Sequence, residues 1–276
     1  MKKIWVDGEM REPGEAVVGA FDHGLLVGDG VFETMLAYGG RVFAMRRHYE
    51  RLVRSAGVLG IDVPGEAVVR EAVNRVVETG GDRVRVTLTG GDGAPGSAKG
   101  DGKPRLIVTA TEFVGWPPTA DVVVVPWVRN ERGALAGVKA TSYGENVVAL
   151  AYARRRGGSE AILGNTLGDL CEGTGSNVFV VWEGRLVTPP LESGCLAGVT
   201  RELVIELARE SGIEVFEESF KLRQLGESDE VFLTSTTREV QPVARVDGKL
   251  VGNGAGEVAA TLGAAYGELV RRSIDP

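Results

Sequence analysis

Apolar and polar positions alternate early in the chain and then change period. Residues 31–38 alternate as a strand with Phe32, Thr34 and Leu36 on one face, and 41–44 return as its hairpin partner across Gly39-Gly40. Met45, Tyr49, Leu52, Val53 and Ala56 then recur at helical spacing, as do Val69, Ala72, Val73, Val76 and Val77. Two further strands are predicted over Arg83–Thr89 and Arg105–Thr111, separated by the loop GGDGAPGSAKGDG. The segment GWPP predicts an extended connector. Beyond it, DVVVVPW predicts a buried strand, 145–155 a helix, and 161–187 a cluster of short strands. A helix starting near Thr200, a strand over 230–234 and a last helix with Val258, Leu262, Tyr266 and Leu269 on one stripe complete the chain. Strands and helices are partly segregated, and the regular βαβ alternation of a doubly wound sheet is missing, which predicts the α+β class. The expected organisation is a small domain over 1–113, a linker over 114–119 and a larger domain over 120–276.

Composition narrows the possibilities. At 276 residues, 43% hydrophobic and 25% charged, the chain is long enough for one large or two modest cores. Its net charge of −7 makes it a poor partner for nucleic acid or an anionic membrane. The start, MKKIWVDGEM, turns polar too early for a signal peptide, and no apolar run approaches the roughly 18–20 residues of a span. A cytoplasmic protein is therefore expected. Cys171 and Cys195 have no metal-like spacing and are expected as small buried apolar residues; with only His23 and His48 beside them, no metal site is expected.

Several residues carry candidate chemistry. Gly91-Asp-Gly93-Ala-Pro-Gly96 matches the dinucleotide pattern by letter, but Pro95 and polar residues follow, so no helix N-terminus would meet a pyrophosphate; a mobile loop is expected instead. Lys139 lies among small and apolar residues just ahead of a helix. A free lysine has a pKa of about 10.4, and a semi-buried apolar setting favours the neutral amine that attacks an aldehyde. Taken alone, it equally suits a solvated loop. Glu172, in DLCEGTGSNVFVV, is either a surface acid beside a turn or a carboxylate that pairs with a protonated heterocycle nitrogen. Arg51 falls on the polar side of its helix, where a solvated arginine is the plain expectation. Thr200 can cap the helix that follows LAGV, and that helix start can bind an anion such as phosphate. Ser235, Thr236 and Thr237 close a strand as a second possible phosphate cradle.

Taken together, DHGLLVGDGVFET, YERL, GVKATSYGENV, EAIL, CEGTGSNVF, GRLVTPP, LAGVTR and DEVFLTSTTREVQPV resemble the aminotransferase class IV family in order and spacing over nearly the whole chain. These are the fold-type IV pyridoxal-phosphate enzymes, which include branched-chain and D-amino-acid aminotransferases, (R)-amine transaminases and aminodeoxychorismate lyases. The resemblance implies a small α/β domain followed by a larger pseudo-barrel α/β domain, with pyridoxal 5'-phosphate as cofactor. Lys139 matches the Schiff-base lysine, Glu172 the carboxylate on the pyridine nitrogen, and Arg51 the phosphate-binding arginine. Val199 and Thr200 match the helix-start amides at the phosphate, and Ser235 and Thr236 match the second phosphate loop. Tyr143 lies near a tyrosine that some relatives place against the phenolic oxygen; branched-chain members have theirs one position later, where this chain has Gly144.

For the substrate, the resemblance implies a pocket lined by Phe32 and Thr34, with Arg85 where L-amino-acid members hold the substrate carboxylate. The arginine of the D-amino-acid TRG motif is absent, Thr89-Gly90-Gly91 standing in its place. Threonine at 34 also occurs in aminodeoxychorismate lyases. Amino-group transfer between a small amino acid or amine and a 2-oxo acid is thus expected. Release of pyruvate and 4-aminobenzoate from aminodeoxychorismate is the alternative, and a non-catalytic pyridoxal-phosphate carrier is remote. Loop 90–102 matches the segment that reaches the neighbouring subunit's site, which implies a homodimer.

Overall fold

The computed structural model describes residues 3–252 and 256–276. In chain order the strands of the first part are β1 (Ile4–Val6), β2 (Glu9–Arg11), β3 (Gly30–Tyr38), β4 (Arg41–Val42), β5 (Arg83–Thr89) and β6 (Arg105–Thr111). Its helices are the single turn α1 (His23–Leu26), then α2 (Met45–Leu59) and α3 (Glu66–Val77). The second part contains β7 (Ala120–Arg129), α4 (Gly144–Arg154), β8 (Glu160–Asn165), β9 (Leu170–Gly173), β10 (Asn177–Trp182) and β11 (Arg185–Thr188). It continues through α5 (Val199–Glu210), β12 (Val215–Glu217), β13 (Glu230–Ser235), β14 (Glu239–Val246), β15 (Lys249–Leu250) and α6 (Glu257–Arg272). Two compact units result. The smaller comprises Met1–Val114, Val138–Tyr143 and Arg272–Pro276; the larger comprises Gly115–Gly137 and Gly144–Arg271.

The smaller unit is an antiparallel sheet in the order β2-β1-β6-β5-β3-β4. The period of two in β3 sends Val31, Glu33 and Met35 to one face and Phe32, Thr34 and Leu36 to the other. Val31 and Met35 join Val84, Val86 and Leu88 of β5 and Leu106, Val108 and Ala110 of β6 in one core. Helix α2 covers that core with Met45, Leu52 and Ala56, and α3 with Val69, Ala72, Val73 and Val76. Val53, expected on the apolar stripe of α2, turns outward and is 40% exposed. On the opposite face Phe32 stands across from Thr87 and Thr34 across from Arg85.

Strand β4 pairs only with the far end of β3, at Ala37 and Tyr38. The near end takes residues 139–141 instead: Ala140 bridges Val31, Phe32 N–H donates to Lys139 O at 3.0 Å, and Thr141 N–H to Gly30 O at 2.8 Å. A segment remote in sequence thereby becomes part of the smaller unit's sheet. The C-terminal residues join it too: Ala44 N–H donates to Ile274 O at 2.8 Å and Arg46 N–H to Asp275 Oδ1 at 2.9 Å, at the start of α2, which has no side-chain cap of its own.

The larger unit is a nine-stranded sheet along β12-β11-β10-β13-β14-β7-β8-β9, with β15 beside β14. Strands β7 and β8 are parallel and joined through α4, and β11 and β12 are parallel and joined through α5. The sequence lacked a regular βαβ alternation, yet two local crossovers of that kind occur within an otherwise mostly antiparallel sheet. One core gathers Val122, Ile162, Leu170, Val178, Val180, Val231, Leu233 and Val243; a second lies under α4, with Val123, Val125, Ala149, Ala153 and Leu163. No helix among the described residues is long and apolar enough to cross a membrane.

Candidate active site

In the smaller unit, Lys139 is held by its backbone before its side chain acts. Besides the bond to Phe32, Lys139 N–H donates to Ser55 Oγ at 3.3 Å. Its Nζ lies 4.5 Å from the centroid of the Phe32 ring, and the Arg85 guanidinium carbon lies 3.8 Å from that same centroid. Tyr143 meets Phe32 edge to face at 5.0 Å. Two cations and one tyrosine thus share a single buried ring, an arrangement in which the ring quadrupole attracts each cation. Arg85 also donates Nε to Thr87 Oγ1 at 3.1 Å.

Behind β3, on its core face, lies a buried charged group. Arg51 donates Nε to Glu33 Oε1 and Nη2 to Glu33 Oε2, both at 2.7 Å, and His48 Nδ1 lies 2.7 Å from Glu33 Oε2. Side chains of all three are under one-tenth exposed. Burial alone would raise the Glu33 carboxyl, but the charge and hydrogen bonds of Arg51, joined by those of His48, hold it well below the usual carboxylate range. Burial holds His48 below its ordinary value against the pull of Glu33, and the cations Arg51 and Lys139 act in the same direction. A neutral His48 then donates Nδ1–H to an ionised Glu33, which fixes the plane of the Arg51 fork.

In the larger unit, Glu172 is a strand residue of β9 with a side chain 12% exposed. Its Oε1 accepts from Arg129 Nε at 3.1 Å and its Oε2 from Leu196 N–H at 2.9 Å. Arg129 in turn donates to Asn146 Oδ1 at 3.4 Å, and Asn146 Nδ2 to Thr174 O at 2.6 Å. Asn177 Nδ2 donates to Leu196 O at 2.8 Å, and Asn177 stands directly across from Thr234 in the β10–β13 register. Helix α5 begins just beyond. Its N-cap is Gly198, with no side-chain cap, and a Cβ at Gly198 would come within 2.0 Å of Asn177 Oδ1. Only glycine permits that approach, so the first-turn amides of Val199 and Thr200 keep their place without an acceptor inside the helix.

The end of β13 completes this group. Arg238 N–H donates to Ser235 Oγ at 3.1 Å, and Glu239, one residue on, has the left-handed φ of 53°, a conformation that costs a non-glycine residue free energy. Thr234 Oγ1 is buried and has no hydrogen-bond partner among the described residues. Such a hydroxyl is costly unless a ligand meets it.

Comparison with known proteins decides between the families this donor set suits. The model of the family described as Amino-transferase class IV matches residues 30–246. The chain belongs to that family. A protein of Methanocaldococcus jannaschii named for branched-chain-amino-acid aminotransferase activity is 38% identical over 264 residues, covering 91% of this chain and 90% of the relative. The D-alanine aminotransferase of Staphylococcus haemolyticus is 30% identical over 263 residues, covering 92% of each. Among solved structures, the branched-chain aminotransferase of the thermophilic archaeon Thermoproteus uzoniensis, with norvaline, superposes with a TM-score of 0.89 at 33% identity, covering 97% of this chain and 94% of that one. These likenesses support amino-group transfer, and they give the lyase alternative no comparable support.

Within this class IV aminotransferase, the smaller unit brings together Phe32, Thr34, Arg85, Lys139 and Tyr143, with Arg51 behind β3. The larger unit sets Glu172 against Leu196, just ahead of Val199 and Thr200 at the start of α5, and carries Ser235 and Thr236 at the end of β13. Two bland expectations are corrected. Arg51 is 6% exposed rather than solvated, because a buried carboxylate pairs with it. Thr200 lies inside the first turn of α5 and does not cap it, since Gly198 holds the cap position. The glycine loop makes contacts at its ends and at Lys99: His23 Nε2 lies 2.9 Å from Ala94 O, Lys99 Nζ lies 2.7 Å from both Asp29 oxygens, and Gly93 N–H donates to Phe21 O at 3.0 Å. The two cysteines are buried and unpaired as expected, and burial pushes the Cys195 thiol up to about 11.

Sequence reasoning missed Glu33, His48, Arg129 and Asn177. Glu33 carried a signal, since an acid between Val31 and Met35 breaks the apolar face of a strand. His48 and Arg51, three apart on α2, share a face and answer it. Arg129 and Asn177 carried none, because their partners lie in other strands and loops.

Proposed function

We propose that this chain uses pyridoxal 5'-phosphate to exchange an amino group between a small amino acid, or amine, and a 2-oxo acid, with Lys139 as the catalytic residue. The observation that carries the reading is the pair Lys139 and Arg85 on the Phe32 ring: an amine and a carboxylate-binding fork within reach of one small substrate. The residues fit the cofactor. A phosphate dianion requires donors; the larger unit offers the amides of Val199 and Thr200 and the hydroxyls of Thr200, Ser235 and Thr236, and the family resemblance implies the same role for Arg51. The buried Thr234 hydroxyl, without a partner among the described residues, is consistent with a ligand at this end of β13.

When bound, pyridoxal phosphate supplies a carbonyl carbon for the amino group and a ring that stores the electron pair released at the substrate Cα. Lys139 Nζ takes the Cα proton as a neutral amine and returns it at the far side of the exchange. Glu172 holds a proton at the pyridine nitrogen, its two oxygens aimed by Arg129 and the Leu196 amide. Tyr143 serves the phenolic oxygen. Arg85 has no carboxylate partner among the described residues and orients the substrate carboxylate, with Phe32 and Thr34 as the pocket wall. A cytoplasmic homodimer, in which loop 90–102 contributes to the partner's site, belongs to the same proposal and rests on the family resemblance.

The test is a half-reaction. Purified protein loaded with pyridoxal phosphate is mixed with L-glutamate, branched-chain amino acids and their D-enantiomers, and its visible spectrum is followed toward the pyridoxamine form. Conversion by at least one donor is expected, and Lys139→Ala should slow it by about a thousandfold or more. If no donor converts it while 4-aminobenzoate accumulates in an assay coupled to a chorismate-aminating enzyme, the lyase reading replaces this one.

A further inference from the structure

The turn that joins β13 to β14 is held from behind by a buried arginine that none of the roles above uses. Ser235 pairs with Glu239 across this hairpin, so residues 236–238 form the turn, and the chain leaves it through the left-handed backbone of Glu239. Glycine takes that conformation freely; a glutamate stays in it only where its surroundings hold the turn. Arg238 supplies the hold. Its Nη2 donates to Ser159 O at 2.9 Å and lies 3.6 Å from Glu160 Oε2, and its Nη1 donates to Gln241 Oε1. Its guanidinium carbon lies 3.9 Å from the centroid of the Trp116 ring, and Gln241 is itself fixed by donating Nε2 to Pro117 O at 2.7 Å. The Arg238 backbone faces the other way, where its N–H donates to Ser235 Oγ at 3.1 Å. An amide N–H can only donate, so the Ser235 hydroxyl accepts this bond and keeps its own proton for another acceptor.

Glu160, the first residue of β8, is the other half of the anchor, and both side chains of the pair are buried. Its Oε1 accepts from the N–H groups of Ala161 and Thr174, each at 3.1 Å, and from Thr174 Oγ1; its Oε2 accepts from Ser176 Oγ at 3.1 Å. Thr174 and Ser176 lie between β9, which carries Glu172, and β10. One buried ion pair thus ties the turn after Glu172 to the turn after Ser235. We propose that Arg238 is a positioning residue for the phosphate of the cofactor: anchored on Ser159, Glu160 and Gln241, it sets the β13–β14 turn so that the Ser235 and Thr236 hydroxyls donate to that anion. The charge stays behind the turn, with its fork occupied, and the groups presented to the anion are neutral hydroxyls. Lysine could balance Glu160, but it has neither the planar fork that reaches a carbonyl, a carboxylate and an amide at once nor the flat face that lies on Trp116. The inference rests on the cofactor reading above and gives a task to an ion pair which that reading leaves idle.

The experiment compares pyridoxal phosphate with pyridoxal, which lacks the phosphate, by spectroscopic titration of protein stripped of cofactor. Arg238→Lys keeps a positive charge beside Glu160 and removes the fork. Its dissociation constant for pyridoxal phosphate should rise about tenfold, the worth of one hydrogen bond to a charged group, with that for pyridoxal essentially unchanged. In a Ser235→Ala background the same change should cost distinctly less, because one of the hydroxyls it aims is gone. Trp116→Leu leaves the ion pair and every hydrogen bond of Arg238 in place and removes only the ring it lies on. It should show the same preference for the phosphate at about two- to fivefold, and it decides the matter if Arg238→Lys does not fold. Equal losses for both ligands, no loss for either, or an undiminished cost in the Ser235→Ala background would each overturn the role of Arg238 while leaving the cofactor reading intact. A wild-type chain that takes up pyridoxal but gains no affinity from its phosphate would overturn the phosphate site itself. One that takes up neither ligand would overturn the cofactor reading and the Arg238 role with it.

Discussion

The two units hold their candidate anion donors by opposite means. The smaller unit buries a full positive charge, Arg51, and neutralises it with a buried carboxylate and a histidine. The larger unit offers mainly neutral donors: the helix-start amides of α5 and hydroxyls at the end of β13, with Asn177 holding the Leu196 carbonyl just ahead of the helix. A buried ion pair is rigid, but it fails badly when one member is lost, since the other is left charged in a low dielectric. Amides and hydroxyls never titrate in the working range, and losing one costs only a hydrogen bond. One set of donors is therefore sensitive to mutation and acid, and the other is tolerant of both.

The largest effect should come from breaking the ion pair. Glu33→Ala leaves Arg51 without its counter-charge and should cost about 3–5 kcal/mol of stability in chemical unfolding, with Glu33→Gln milder. A loss below about 1 kcal/mol for Glu33→Ala would mean that the group is hydrated and the contrast between the units is false.

Acid should separate the units next. His48 and Glu33 both have folded-state values below their unfolded ones. As pH falls through the ordinary histidine value of 6.5, the unfolded chain takes up a proton that folded His48 refuses. Stability present above that pH is therefore lost as it drops, by at most about 1.4 kcal/mol per pH unit for one group. A second loss begins near 4.5, where unfolded Glu33 protonates and folded Glu33 does not. Denaturation midpoints measured from pH 8 to 4 should show the first slope in wild type and lose it in His48→Gln. A His48→Gln variant with an unchanged slope would assign it to another group.

The smallest effect lies in the larger unit. Thr234→Val removes a buried hydroxyl that has no partner among the described residues, so the cofactor-free protein should be unchanged or gain up to about 1 kcal/mol. Destabilisation by more than that would show that the hydroxyl has a partner after all.

Much of the scaffold was legible because local pattern and tertiary role agree. The alternation in β5 and β6 predicts both strands to the residue, the stripe of α3 predicts its buried face, and that of α6 does so at Leu262, Tyr266 and Leu269 but not at Val258, where Ala259 is buried instead. Lys139, Glu172 and Arg51 are legible only as a set, through family resemblance; in each case the local sequence is equally suited to a solvated residue. What stays hidden depends on partners far along the chain. The pairing of Lys139 with Phe32 needs residues 139–141 to lie beside β3, and no periodicity announces a two-bond bridge. Arg51 reads as a surface residue because its partner Glu33 lies in another element, and a buried charge looks polar in sequence whether or not it is paired. Gly198 gives no sign that an asparagine side chain occupies the space of its missing Cβ.

The position of β7 has a consequence during synthesis. Its apolar stretch gains one neighbour, β8, soon after it is made, but its other neighbour, β14, lies roughly 80 residues further on. At about 5–20 residues per second, that edge waits about 4–16 s on the ribosome with its backbone groups unpaired. Val122, Val123 and Val125 are apolar, β-branched and buried in the finished protein, a combination that invites pairing with another chain while it is exposed. Pro126 falls where the β7–β8 register shifts, and it shortens the stretch that a stray strand could join. Yield of folded enzyme in a cell should thus depend on translation speed between β8 and β14 and on chaperones that shield nascent strands, more than on the stability of the mature protein.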